Sequence, residues 1–371
     1  MNRLIKLIQV KTKEGNMLRG CALYRASTLL FPILFLVVAL SMGGCRAPLD
    51  EDPRVGEPPP IPEEIRGEEG EEPLLEVYDH ENGEVEEMSM EDYIAGVVAA
   101  EMDSDWDIEA LAAQAIIARS FTLERIAEDG GVPERDAHAS TNEEEFQAFN
   151  TEEINENVEE AVERTRGEVA VNESEFIRAW FHAYAGPRTA LAPEGLDFEE
   201  ENPPYIISVD SPGKEIIDED EANWEASFDL DEVLNIVNEA NGDEEVNDDD
   251  AAAGEDGEAN DNNSLTEISE VEVLEEGPSG RATLIGFRGN DAEADIHAAT
   301  LRMELDPTEM RSTFLEKAEI SDGELVMSGE GFGHGVGMCQ WGARAMAEDG
   351  HDAEDIMNYF YENIGIVSLW E

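Results

Sequence analysis

Basic residues are scarce in this 371-residue chain. It has 23 Lys and Arg against 90 Asp and Glu, a formal net charge of −67, and beyond residue 44 its lysines are Lys214 and Lys317. With no basic stripe to meet phosphates, nucleic acid is excluded as a partner. The surface repels itself in dilute buffer, but at molar salt the Debye length is only about 3 Å. The composition therefore predicts adaptation to high salt. The alternative is a cation-binding protein, but the sequence has no Asp-rich loop that ends in glutamate, as a calcium site of the EF-hand type requires.

The N-terminus is typical of an export signal. Six basic residues and one acid precede Cys45, and the apolar run at residues 29–42, interrupted by Pro32, is short for a membrane span. Two glycines directly before Cys45 resemble a bacterial lipoprotein cleavage site. We therefore expect residues 1–45 to be a signal and Cys45 to be lipidated. An uncleaved anchor and plain secretion are the alternatives, and Met17 is an alternative start. Either anchor would hold the protein on the cytoplasmic membrane, facing the cell wall.

Changes in composition divide the rest of the chain. Residues 46–72, rich in Pro and Glu, predict a disordered tether. Residues 73–371 predict a single α+β domain of mixed strands and a few helices, with a disordered acidic insertion at about 242–264. Hydrophobic periodicity gives the expected elements. They are a hairpin at 75–85, helices at 90–100, 108–127, 155–165, 338–347 and 353–361, and strands at 169–171, 176–184, 271–273 and 282–287. The pattern Ser104-x-x-Asp107 predicts a capping box for the second helix.

A glycine-rich block at residues 331–343 is the most distinctive local pattern. Four glycines alternate around His334 and are followed at once by Gln340 and Trp341. Indole faces stack on sugars, and amide and imidazole groups bind hydroxyls, so the block is typical of a glycan-binding surface. Alternating glycines also occur where backbones pack closely. The sequence favours the binding surface over the packing corner. Trp341 fits either a cleft or a core position.

Four ordered blocks of sequence resemble the stage II sporulation protein D / LytB amidase-enhancer family, over residues 74–368 with the insertion as an interruption. They are Tyr93 to Met102 with Trp106 and Glu109 to Ser120; His182 to Gly186 with Thr189; Leu301-Arg302 with Arg311 to Phe314; and the glycine block with Tyr359-Phe360-Tyr361.

The resemblance implies a catalytic role for Glu101. Members of the sporulation branch are similar to lytic transglycosylases that cut peptide-stripped glycan strands between N-acetylmuramic acid and N-acetylglucosamine. Glu101 then acts first as acid and afterwards as base, and the fold forms a glycan cleft. An apolar run and Trp106 flank Glu101, so desolvation is expected to raise its pKa. The candidate substrate-binding residues are Trp106, Gln114, Arg119, His182, Tyr184, Arg302, His334, Gln340 and Trp341. For Arg119, an ion pair with a neighbouring acid is an equally good interpretation.

Two departures from the family bear on its chemistry. Some members hold zinc through a histidine and two cysteines, but here His138 stands without cysteines at residues 142–149, so neither a metal nor a cofactor is predicted. Cys339 replaces a serine, and we expect a small buried residue at a helix start rather than a nucleophile. With one cysteine in the domain, no internal disulfide framework is possible.

Two functions remain open. The first is an exported lytic transglycosylase that acts in sporulation, during engulfment, beside a cell-wall amidase. The second is a non-catalytic protein that binds glycan and stimulates an N-acetylmuramoyl-L-alanine amidase. A lipoprotein scaffold held by its acidic surface is a third interpretation, which the four blocks disfavour.

Overall fold

The computed structural model describes residues 58–68, 70–242, 265–290 and 292–371. The predicted signal with Cys45, and the predicted insertion from residue 243 onward, lie outside these ranges. The described residues belong to one compact unit. No helix within them combines the length and the apolar character that crossing a membrane requires.

Mixed helices and small sheets confirm the α+β class. The helices are α1 (Met90–Glu101), α2 (Ile108–Asp129), α3 (Glu156–Arg164), α4 (Ala192–Gly195), α5 (Glu219–Ala222), α6 (Leu230–Gly242), α7 (Ala298–Glu304), α8 (Gln340–Glu348) and α9 (Ala353–Phe360). The strands are β1 (Leu74–Asp79), β2 (Glu84–Ser89), β3 (Ala139–Ser140), β4 (Glu168–Asn172), β5 (Glu175–Phe176), β6 (Phe181–His182), β7 (Asn223–Asp229), β8 (Glu270–Glu276), β9 (Ala282–Gly289), β10 (Ala292–His297), β11 (Leu315–Ser321), β12 (Glu324–Glu330), β13 (Met338–Cys339) and β14 (Gly365–Ser368).

The strands form sheets of two or three members. Their orders are β2-β1-β3, β14-β4-β5, β13-β6, β10-β9-β8 and β11-β12-β7. In the two-stranded sheet β13 runs parallel to β6, with Cys339 opposite His182. This pairing joins the glycine block to a strand more than 150 residues earlier in the chain.

Two hydrophobic cores divide the described residues into lobes. The first lobe, residues 58–222 and 331–371, is built around α2, which packs against α1, α3, β4, α8 and α9. Helix α2 is buried along most of its length, and its many alanines allow the neighbouring elements to approach closely. Asp107 caps its start by accepting a hydrogen bond from the Glu109 N–H, and Gly130 ends it in the left-handed conformation.

The second lobe, residues 223–330, has its own core of β-rich structure. In β7 alternate residues are buried, beginning with Trp224, because one face of the strand packs on the core and the other meets solvent. Several hydrogen bonds tie this lobe to the first, and two of them involve residues 279–281. The Arg281 Nη2 donates to the Ala185 carbonyl at 2.7 Å, and the Ser279 N–H donates to the Glu194 carboxylate at 2.8 Å.

Most predicted elements of the first lobe are confirmed, with two corrections. Ser104 does not cap α2, because its hydroxyl donates to the Glu153 carbonyl at 2.6 Å and Asp107 takes the capping position. The predicted strand at 176–184 is wrong over most of its length: only β5 and β6 form, and the chain between them is irregular.

Part of the predicted tether is ordered. Within residues 58–72, the side chains of Pro59, Pro62 and Ile65 are buried, and Ile65 belongs to the core of the first lobe. The Glu72 carboxylate accepts from the Glu91 N–H at 2.7 Å, so this segment also braces the start of α1. The prediction of disorder for 46–72 is therefore wrong for its second half, because scattered apolar residues in a Pro/Glu-rich stretch suffice for docking.

Candidate functional site

Glu101, the predicted catalytic residue, is the last residue of α1 and is half-buried. Burial raises the pKa of Glu101 to about 7 from 4.5. The Ala148 N–H, which donates to Glu101 Oε1 at 3.2 Å, and the Gln340 amide oppose the rise, while the nearby Glu143 charge adds to it. At neutral pH the carboxyl group is therefore shared between its protonated and ionised forms, as a group that alternates between acid and base requires.

A glycine inside α1 places the Ala148 amide. A Cβ atom at Gly96 would lie 2.2 Å from the Phe149 ring, so this helix position admits only glycine without a shift. Phe149 stacks on Tyr93 with ring centroids 5.6 Å apart, and the Asn150 N–H donates to the Gly96 carbonyl at 3.0 Å. These contacts hold residues 148–150 against the helix that carries Glu101. In the sequence, a glycine inside a helical pattern indicates close packing of this kind.

Gln340, at the start of α8, approaches Glu101 from the C-terminal part of the chain. Its Nε2 donates to the Gln114 Oε1 at 3.4 Å, and both side chains are buried. Gln114 is fully buried in α2, where it supports Gln340. Its contact with substrate stays a prediction.

An aromatic pair with a cation lies beside the Gln340 end of α8. The rings of Trp106 and Trp341 have centroids 5.2 Å apart, and both rings are half-buried. The Arg344 guanidinium lies 5.0 Å from the Trp106 ring centroid and 4.8 Å from that of Trp341. The sequence identified both tryptophans but missed Arg344. Its position one helical turn after Gln340 was the signal that would have placed it on the same face.

A cavity of about 510 Å³ has Glu101 in its lining. Residues 99–105 and 152–155 line it, and it carries the carboxylates of Asp103, Asp105, Glu152 and Glu153. Its volume falls within the range of small-ligand sites.

His182 and His334 form a separate pair, with ring centroids 5.5 Å apart. The His182 Nδ1 donates to the Val336 carbonyl at 3.1 Å, and the His334 Nδ1 accepts from the Val336 N–H at 3.1 Å. Burial holds the pKa of His182 well below its usual range and lowers that of His334 to about 3, so both rings are neutral. None of the hydrogen bonds found for either ring in the described chain reaches Glu101. Substrate contact by this pair stays a prediction.

Three other predicted contact residues lie inside the fold. Arg119 is fully buried and pairs with Glu91 at 2.7 Å. This is the ion pair with a neighbouring acid that the sequence offered as the other interpretation. The Tyr184 hydroxyl donates to the Glu330 carboxylate at 2.8 Å. Arg302 is buried and donates to backbone carbonyls of its own lobe, those of Pro307 and Arg311. Because their polar atoms are used within the fold, the structure gives no support to the expectation that these three bind substrate.

The glycines of the block serve packing. A Cβ atom at Gly335 would lie 2.3 Å from Arg281 Nη2, and one at Gly337 would lie 1.9 Å from the Trp180 carbonyl oxygen. Both glycines also have a positive φ. The packing-corner interpretation therefore holds for the glycines themselves, although Gln340, which follows them, contacts Glu101.

Cys339 takes the place expected for a small buried residue. Its sulfur accepts from the Gly342 N–H at 3.3 Å as the cap of α8, and burial raises the pKa of its thiol. His138 accepts a hydrogen bond from the Glu76 N–H at 2.9 Å. Within the described ranges, no group of three or more His, Cys, Asp or Glu side chains is arranged to hold a metal ion.

Comparisons with known proteins identify relatives of this chain. Residues 78–171 match the family model described as stage II sporulation protein (SpoIID), and residues 197–337 match a domain of unknown function, DUF8618. An uncharacterized protein of Brachyspira hyodysenteriae is 31% identical over 284 residues, which cover 76% of this chain and 68% of that protein. The stage II sporulation protein D of Bacillus amyloliquefaciens is 26% identical over 326 residues, covering 81% and 83% respectively. The amidase enhancer of Bacillus subtilis is 24% identical over 303 residues, 74% of this chain but 40% of that protein.

These matches fall on the two lobes. The sporulation model covers α1 and α2 with Glu101, and the second model covers the whole of the second lobe. The relatives match this chain over most of its length. The matched part includes Glu101, the half-buried carboxylic acid at the end of the first helix. The chain belongs to the stage II sporulation protein D / LytB amidase-enhancer family.

Proposed function

We propose that this protein is an exported lytic transglycosylase. Its substrate is peptidoglycan glycan already stripped of stem peptides, and it cleaves the bond from N-acetylmuramic acid to N-acetylglucosamine during sporulation. The observation that carries the proposal is the environment of Glu101, a carboxylic acid whose pKa burial raises to about 7 at the edge of a cavity.

The chemistry requires a single carboxyl group. Protonated Glu101 donates its proton to the glycosidic oxygen, and the bond to the muramic C1 breaks as N-acetylglucosamine leaves with its new hydroxyl. The Glu101 carboxylate then removes the proton from the muramic C6 hydroxyl, whose oxygen bonds to C1 and closes a 1,6-anhydro ring. The glutamate ends protonated, ready for another cycle, and no water is consumed. The two-carboxylate geometry of ordinary glycosidases is therefore unnecessary.

Neighbouring side chains supply groups suited to a glycan. Trp106 and Trp341 offer aromatic rings of the kind on which sugar faces stack, and Gln340 brings an amide to Glu101. Gln340 and Trp341 lie in the first turn of α8, so one helix end carries both the amide that contacts Glu101 and an indole of the aromatic pair.

The cellular setting belongs to the same proposal. We place the protein outside the cytoplasm, held on the cytoplasmic membrane by lipidated Cys45 or by its N-terminal segment, and facing the wall. A cell-wall amidase that removes the stem peptides first is the expected partner. The name of the Bacillus subtilis relative, amidase enhancer, supports that link.

That same name supports a second candidate function, a glycan-binding protein that stimulates an amidase without cutting glycan itself. The two differ in whether Glu101 reacts. The test is mass spectrometry of peptide-free glycan strands incubated in molar salt with the full chain, with Glu101→Gln, and with Glu144→Gln as a matched control at an exposed glutamate.

The transglycosylase predicts products that end in 1,6-anhydro-muramic acid from the unmodified chain and from Glu144→Gln, and none from Glu101→Gln. Intact strands with every protein, together with faster release of stem peptides from peptide-bearing peptidoglycan by an added amidase, would replace the enzyme with the enhancer.

A further inference from the structure

Arg344 is a cation presented on the aromatic pair. Its guanidinium lies within 5.0 Å of both ring centroids, and about a third of its side chain (31%) is exposed. The Arg344 Nε donates to the Glu348 carboxylate at 2.9 Å. Among the described residues no hydrogen bond is made by its two terminal nitrogens. An arginine fixed through Nε and stacked on indole rings thus keeps the paired donors that match a carboxylate.

The position of Arg344 relates it to the reacting bond. Gln340, which acts on Glu101, lies four residues before Arg344 in α8, so the rise between them is about 6 Å. Both side chains lie on one helix face because residues four apart are neighbours there. A sugar whose glycosidic oxygen meets Glu101 would therefore bring its ring substituents near Arg344.

The charge of the surroundings makes this arginine significant. The chain has a formal net charge of −67, and four carboxylates line the cavity beside Glu101. An anionic sugar entering such a cleft meets repulsion unless a cation is placed for it. The free lactyl carboxylate of peptide-stripped N-acetylmuramic acid is such an anion. When the stem peptide is attached, the same carbon is an amide and carries no charge.

We propose that Arg344 binds the lactyl carboxylate of N-acetylmuramic acid and selects strands from which the stem peptide has been removed. The inference rests on the proposed function, because it takes the glycan as the ligand. It assigns the selection to Arg344, through a charge-assisted contact that an amidated or peptide-bearing muramic acid lacks.

The test compares binding of two probes: peptide-free glycan strands, and the same strands with their lactyl carboxylates converted to primary amides. Tryptophan fluorescence reports occupancy, since Trp106 and Trp341 line the site. All proteins are full chains that carry Glu101→Gln, so no strand is cut during the titration. Without a further change, the free-acid strand should bind about three- to tenfold more tightly than the amide.

Arg344→Gln should bind both strands with equal affinity, whereas Arg344→Lys should keep part of the preference. Arg125→Gln is the matched control, because Arg125 also forms an i,i+4 ion pair with an acid, Asp129, on an exposed helix face. The control should keep the full preference.

Equal affinities for the two strands before Arg344 is changed would overturn the inference, as would a preference that survives Arg344→Gln. The cleavage assay is read separately with Glu101 intact. Strands left uncut, with the binding preference still present, would remove the transglycosylase and leave the role of Arg344 standing.

Discussion

Replacing Glu101 with glutamine should stabilise the protein above neutral pH. Burial raises the pKa of Glu101 from 4.5 to about 7, so ionisation costs more free energy in the folded chain than in the unfolded chain. One pKa unit corresponds to about 1.4 kcal/mol, which makes the largest effect about 3 kcal/mol. Since the side chain is only half-buried, solvent screening lowers the expected value to about 1 to 3 kcal/mol.

The sign of the pH dependence follows from the direction of the shift. The contribution of Glu101 to stability is complete below pH 4.5, is lost as the pH rises from 4.5 to about 7, and then stays constant. Glutamine does not titrate. The free energy of unfolding of Glu101→Gln minus that of the unmodified chain should therefore increase by about 1 to 3 kcal/mol between pH 4 and pH 8.5.

The assay is denaturant unfolding of both proteins in molar salt at these two pH values. Glu144→Gln, in the loop that also carries Ala148, changes an exposed glutamate and should show a constant difference. If the difference for Glu101→Gln is the same at pH 4 and pH 8.5, the burial argument for this carboxyl group is refuted. In the same samples, glycan cleavage by the unmodified chain should decline above about pH 7, as the acid form of Glu101 disappears.

Three further predictions concern the framework around the site. Gly96→Ala puts a methyl group 2.2 Å from the Phe149 ring and should cost about 1 to 3 kcal/mol in unfolding experiments, with reduced glycan cleavage; unchanged stability and cleavage would contradict the packing argument. Glu91→Gln leaves buried Arg119 without its counter-ion and should cost about 3 to 5 kcal/mol by denaturant unfolding, and a loss below about 1 kcal/mol would show that the pair is dispensable. The thermal midpoint should rise from low to molar salt because the net charge of −67 is then screened, and a midpoint that does not rise would end the high-salt interpretation.

Arg119 and Arg344, both in the first lobe, show that membership of a family block does not define the role of a residue. Arg119 belongs to the block that identifies the family, yet the Glu91 carboxylate that binds it also accepts from the Gly167 N–H at 3.0 Å and from the Trp370 indole N–H at 2.9 Å. This buried group joins α1, α2 and the C-terminal end of the chain. Arg344 lies outside the family blocks, yet it stacks on Trp106 and Trp341, and we propose a ligand-binding role for it.

The sequence by itself determined several elements of the first lobe. The hairpin at β1 and β2 and helices α1, α2, α3 and α9 follow from local periodicity, turn residues and caps, which act over a few residues. The same local patterns carried the family blocks and singled out Glu101, Trp106, Gln340 and Trp341. These residues are recognisable because adjacent positions in the chain define them.

Tertiary structure alone decided which predicted residues come close to Glu101. Arg119, Tyr184 and Arg302 have side chains as polar as those of Gln340 or Arg344, and only burial and partners from distant elements separate framework from site. The pKa of Glu101 is set in the same way, by desolvation and by the amides of Ala148 and Gln340. These two residues follow Glu101 by 47 residues or more in the chain. Sequence patterns are local, whereas desolvation and side-chain pairing depend on which distant segments the fold packs together.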